Sequence, residues 1–139
     1  MVLILKGFNI NPFYFIHTHE HIMKNVPSWS YNGKEFRSVS NSQSGEVSDE
    51  TTFYYQQKGA VISARYQGGA IREGNILGKV EADGTIQMSY QHWNKDNEFR
   101  AGICTSTPEK LPNGKIRLHE SWEWTNGIHG SGESIIEEI

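Results

Sequence analysis

Residues 117–124 read "RLHESWEW". If the segment is extended, successive side chains point to opposite faces, so Leu118, Glu120, Trp122 and Trp124 share one face and Arg117, His119, Ser121 and Glu123 the other. One face is therefore apolar except for a carboxyl group. A lone charge out of water is costly, so on a buried face Glu120 must be protonated, paired or linked to water. The alternation makes this segment a strand, and the question of Glu120 follows from it.

Outward from this strand the same rhythm recurs. "KEFRSVS", "DETTFYYQQ", "AVISARY", "AIREGNILGKVE", "TIQMSYQHW", "EFRAGICTST", "KIRLHESWEW" and "ESIIEEI" are strand-like runs. Between them lie the turn signals "NSQSGE", "KG", "QGG", "ADG", "NKDN", "PEKLPNG" and "TNGIHGSG". Turn marks at intervals of roughly 8–12 residues are the spacing of an all-β sandwich or barrel. No long segment keeps a helical apolar period, and runs rich in Val, Ile, Thr, Tyr, Phe and Trp favour a pleated sheet. Short links make sequential strands antiparallel neighbours. About eight such strands leave two open edges unless the sheet closes on itself. The expected fold is all-β: a single antiparallel up-and-down barrel of about eight strands, lipocalin-like or avidin-like, with a two-sheet sandwich as the second choice.

The chain has 139 residues, enough for one domain with a hydrophobic core that needs no staples. A net charge of -3, from 13 Lys plus Arg and 16 Asp plus Glu, offers no broad basic field for a phosphate backbone, so nucleic acid is not an expected partner. The single cysteine, Cys104, excludes an internal disulfide, and the cytoplasm is the default location. Residues 1–22, "MVLILKGFNINPFYFIHTHEHI", are interrupted by Lys6, Asn9, Asn11 and Pro12, so neither a signal peptide nor a membrane anchor is expected. Their composition differs from the rest. Residues 1–28 are read as an N-terminal extension or a mis-assigned start, and residues 29–139 as the barrel domain.

Three clusters invite a functional reading. His17, His19 and His21 in "HTHEH" share a face if extended, but spacing alone does not make a metal site, and no metal is expected. His92, Cys104 and His119 come from successive strands; alternation turns His119 outward with Arg117 and Glu123, and Cys104 is most simply a buried small hydrophobe. The glycine-rich "QGGAIREG" lies between strand-like runs and does not open a helix, so it reads as a turn and not as a phosphate loop.

Glu120 carries the remaining argument. It points inward with Trp122 and Trp124, while Tyr90 and His92 belong to an inward-looking register two strands away. Two strand spacings amount to about 10 Å, a gap that long side chains can bridge inside a barrel. Arg65 or Arg100 would supply a counter-charge, although "EFRAGICTST" shows no clear alternation to place Arg100. The group is then either a structural pair plugging a small barrel or part of a ligand pocket formed by Glu120, Trp122, Tyr90, His92, Arg65 and Arg100. The direction of its pKa shift separates these environments: burial raises it and an arginine partner lowers it.

At "FRSVSNSQSGEVSDETTFYY", "LGKVEADG", "RLHESWEWT" and "GESIIEE" the chain resembles a family of short bacterial proteins often labelled N-acetylglutamate synthase, from about Tyr31 to the C-terminus. The resemblance implies acetyl transfer from acetyl-coenzyme A to glutamate. That chemistry uses a glycine loop opening onto a helix, and no matching segment is visible, so no catalytic residue is carried over and no cofactor is assigned. The expected function is binding of a small, partly apolar ligand inside the barrel. The alternatives are an enzyme, either that acetyltransferase or an acid/base catalyst using Glu120 and His92, and a filled barrel acting through its outer surface.

Overall fold

The computed structural model of the protein describes residues 29–139. Eight strands follow one another: β1 (Glu35–Asn41), β2 (Thr52–Lys58), β3 (Val61–Gly68), β4 (Ile71–Val80), β5 (Ile86–Asn94), β6 (Phe99–Lys110), β7 (Ile116–Trp124) and β8 (Ser131–Glu138). Each pairs antiparallel with its neighbours in sequence, and β1 pairs with β8 from Phe36↔Glu138 to Asn41↔Ser134. The sheet is therefore a closed up-and-down barrel. Closure gives every strand a hydrogen-bonded neighbour on both sides over at least part of its length, so the sheet has no terminal strand. The histidines at 17, 19 and 21 and the expected boundary of the N-terminal extension fall outside the described residues.

Side chains alternate as period-2 strands require. On β3, Ile62, Ala64 and Tyr66 are buried while Val61, Ser63 and Arg65 are exposed. Ladder irregularities occur between Ser38 and Ser40, between Tyr66 and Gly68, and between Ile71 and Glu73. All three lie in the half of the barrel where β1 ends and β2 begins, here termed the mouth. Bulges concentrate at barrel rims because they add the local bend that closure demands.

The opposite end is packed shut. Tyr31, Phe36, Tyr55, Ile62, Ile86, Ile116, Leu118 and Ile136 are all 0–1% exposed. Burying a side chain of Ile or Phe size contributes about 1.5–3 kcal/mol. Residues before β1 cross this end: the Tyr31 hydroxyl donates to the Gly84 carbonyl at 2.5 Å, and its backbone N–H donates to Gln57 Oε1 at 2.8 Å. Gly84 has φ +90 and lies under the Trp29 ring, so it needs both the left-handed backbone and the missing side chain.

Several boundaries differ from the sequence reading: β2 begins at Thr52 and not at Asp49. Pro108–Lys110, assigned above to a turn, continue β6, with Pro108 opposite Leu118. β5 begins at Ile86, opposite Ser106, so beyond that point β6 has only β7 beside it and tolerates a proline as an edge strand does. Ser131 and Gly132 likewise belong to β8, where Gly132 pairs with Trp122.

Candidate functional site

The site grows from a pattern repeated on three strand pairs. Tyr66 lies opposite Gly74, Tyr90 opposite Gly102 and Trp122 opposite Gly132. A Cβ at any of these glycines would collide with the facing ring. Each aromatic side chain thus lies flat along a neighbouring backbone instead of standing across the barrel. The result is an unfilled space in the mouth half.

That cavity is lined by Phe53, Ile76, Met88, Tyr90, Trp122 and Trp124, with Glu120, Cys104, Ser134, His92 and Glu46 among its polar members. It offers about 50 Å³ to the centres of water-sized spheres. A site of roughly 10–15 Å³ on that measure suffices for one water, so this space holds a few waters or a small fragment. The aromatic side chains support one another: Tyr90 and Trp124 pack edge to face at 5.7 Å, and Trp122 and Trp124 lie 5.4 Å apart.

Glu120 sits deep in this space on β7, on the same face as Leu118, Trp122 and Trp124 as alternation requires. Its Oε2 accepts from Ser106 Oγ at 2.8 Å and its Oε1 from Ser134 Oγ at 3.1 Å. Ser106 and Ser134 are the cross-strand partners of Glu120 on β6 and β8, so the two flanking strands clamp the carboxyl from both sides. The Cys104 thiol is 3.8 Å away. Burial raises the Glu120 pKa and outweighs the lowering by these hydrogen bonds. Glu120 is enclosed by the wall yet only half-buried by surface, because its free surface faces the cavity and not the outside.

The partners expected for Glu120 are not the ones it has. Arg65 is on the outward register of β3 and is paired with Glu73 at 2.8 Å on the barrel exterior. It lines neither the cavity nor the carboxyl group. Arg100 is on the inward register of β6 but six residues from Ser106, about 20 Å along the strand, and its guanidinium stacks 4.3 Å above the Trp124 ring at the mouth. Tyr90 lines the cavity and its hydroxyl is directed to the Glu123 carbonyl at 3.5 Å. His92 lines it too, with partners of its own. Among the described residues Glu120 forms neither an ion pair nor a direct hydrogen bond to His92, and two hydroxyls hold its carboxyl group.

His92 belongs to a different network. Its Nδ1 is 2.7 Å from the Tyr66 hydroxyl and its Nε2 is 2.8 Å from Glu46 Oε1. Burial holds the His92 pKa down and that of Tyr66 up, so the tyrosine donates to Nδ1 and the neutral imidazole donates its Nε2–H to the carboxylate. Asn94 Nδ2 donates to Glu46 Oε2 at 2.8 Å. Burial pushes the Glu46 pKa up, but the hydrogen bonds from His92 and Asn94 and the nearby Arg100 charge together pull it below the ordinary value.

Glu46 and Asn94 were missed in the sequence. Glu46 lies in the link between Asn41 and Thr52, longer than a hairpin turn, and that length was the available signal that the link covers something. His119 is exposed and paired with Glu109 at 2.9 Å, so it does not join His92 and Cys104. "QGGAIREG" forms the β3–β4 turn, with Gly68 and Gly69 at φ 115 and φ 62, and leads into a strand. Among the described residues there is no helix for a coenzyme loop to open.

The sequence profile of the avidin-like protein family matches residues 29–139. The chain belongs to the avidin-like family. No curated protein and no solved structure matches it. The eight-strand avidin-like barrel agrees with the fold read from the sequence, and the family match gives no support to the acetyltransferase resemblance. Among the described residues of this avidin-like chain, no cluster of three His, Cys, Asp or Glu side chains is arranged to hold a metal.

Proposed function

We propose that the protein binds a small, compact, partly apolar molecule in the mouth half of the barrel. The observation that carries this reading is the cavity itself: an aromatic space with a carboxyl group at depth that is held by hydroxyls and faces the void. Ligand pockets combine apolar walls with a few oriented polar groups in this way. With its pKa raised, Glu120 can offer a ligand either an O–H donor or an acceptor oxygen. Membership in the avidin-like family is compatible with small-ligand binding. Trp122, Tyr90 and His92 supply walls and orientation.

The acid/base alternative with Glu120 and His92 is less well supported, because each group is engaged by separate partners. Native mass spectrometry of the purified protein, followed by a tryptophan-fluorescence screen of small aromatic and heterocyclic compounds, tests the binding reading. A retained or bound compound that is weakened by Glu120→Gln is the expected result. Protein that emerges empty and gives no response across the screen would set the reading aside. Turnover of glutamate with acetyl-coenzyme A would favour the transferase instead.

A further inference from the structure

The mouth holds a second polar set, separate from Glu120 and built to receive an anion. His92 is 2% exposed and its ring is oriented by Tyr66 through Nδ1, which leaves Nε2–H directed at the mouth. Asn94 is 1% exposed, and its Oδ1 accepts from the backbone N–H groups of Asp96 and Glu98 at 3.0 and 2.8 Å. Those bonds in the β5–β6 turn fix the amide, whose NH₂ donates to Glu98 Oε1 at 3.1 Å as well as to Glu46 Oε2. Arg100 pairs with His92 across the ladder and stacks on Trp124, and its buried Nε has no hydrogen-bond partner among the described residues. An orphaned buried guanidinium N–H costs free energy that a bound acceptor would recover.

The groups on β5 and β6 are thus oriented by partners other than Glu46. Glu46 arrives from the link between β1 and β2 and lays its carboxylate on His92 and Asn94. The rest of that link is tied elsewhere: Asn41 Nδ2 donates to the Val47 carbonyl at 2.8 Å, and Trp124 Nε1 donates to the Ser44 carbonyl at 3.3 Å. Glu46 therefore stands where a ligand's carboxylate would stand. Glu46 shares the lining of one cavity with Trp122, Trp124, Tyr90 and Met88.

We propose that the mouth is a carboxylate-binding site held shut by the chain's own Glu46, and that the ligand is a small monocarboxylic acid with a flat apolar body. The ligand's carboxylate replaces that of Glu46 on His92 and Asn94 and gains Arg100; its body fills the aromatic cavity, and withdrawal of Glu46 adds the room that the closed cavity lacks. This assignment rests on the reading of the cavity as a ligand site and narrows its ligand to an acid. Charge-assisted contacts to a carboxylate are about twice as strong as neutral ones, so the mouth selects an acid over its amide.

The test compares 3-phenylpropionate with 3-phenylpropionamide by isothermal titration and tryptophan fluorescence. It uses the wild-type chain, Glu46→Ala and the double variant Glu46→Ala/Arg100→Gln. The expected result is that Glu46→Ala binds the acid at least tenfold more tightly than wild type does and at least tenfold more tightly than it binds the amide. Adding Arg100→Gln should remove most of that preference. Where Glu46→Ala does not fold, Glu46→Gln keeps the side-chain length, drops the charge and carries the same expectation. Equal binding of acid and amide overturns the carboxylate site while leaving interior binding intact. Binding of neither compound by the folded variant also overturns it, and the ligand screen described above then decides separately whether the cavity binds anything.

Discussion

Glu120 couples the barrel's stability to pH in a direction opposite to most carboxylates. Its folded pKa lies above the ordinary 4.5, so the stability it contributes is full below that value and is lost as pH rises through the folded pKa. Glu120→Gln removes this slope. Urea midpoints measured from pH 4.5 to 8 should show the variant gaining on wild type as pH rises, with near-equal or greater stability at neutral pH. A loss of roughly 3–5 kcal/mol would instead reveal a cationic partner stranded by the change. His92 and Glu46 act the other way. Both folded pKa values are lowered, so stability is lost as pH falls, first below the ordinary 6.5 for His92 and then, below 4.5, through the folded pKa of Glu46. Tyr66→Phe leaves the buried Nδ1 of His92 without its donor and should cost about 1–3 kcal/mol by urea denaturation.

Between strands, the facing glycines decide where there is space. Gly102 accommodates the Tyr90 phenol on the adjacent strand, and a Cβ there would force the ring toward Trp124. Gly102→Ala is expected to cost about 1–3 kcal/mol, as overpacking of a tight site does, and to change the emission of Trp124. If the variant matches wild type in both stability and emission, Tyr90 is not held against β6. Gly74 opposite Tyr66 and Gly132 opposite Trp122 repeat the arrangement, so the cavity is a property of strand pairing as much as of any one side chain.

Across the whole barrel the seam between β1 and β2 is the shortest. These strands pair only from Glu35↔Tyr54 to Arg37↔Thr52, whereas β4 and β5 pair from Ile71↔Asn94 to Val80↔Ile86. The long link that leaves this seam covers the mouth and is fastened to β5 through Glu46. Short pairing and a link outside the strand ladder mark the part of a fold that opens first. Hydrogen exchange should therefore proceed earliest at residues 42–51 and the mouth ends of β1 and β2, with β4–β7 exchanging last. Glu46→Ala should speed exchange in 42–51 without changing β4–β7. Uniform exchange along the chain would mean that the mouth opens only with global unfolding.

Local period-2 patterning and turn spacing were sufficient to read eight antiparallel strands, a closed barrel and the inward direction of Glu120, Trp122, Tyr90 and His92. Those features depend on a residue and its near neighbours. Arg65 was expected as a counter-charge, yet it shares the outward register of Val61 and Ser63 on β3, so alternation was the local signal against that choice. The partners of Glu120 depend on which residues of β6 and β8 lie opposite it, Ser106 and Ser134, a matter of register across non-local pairs. The meeting of Glu46 with His92 and Asn94 depends on how the closed barrel carries a long link across its mouth. Strand identity was written in local periodicity, whereas the contents of the cavity followed from closure, which brings together residues that no short stretch of sequence relates.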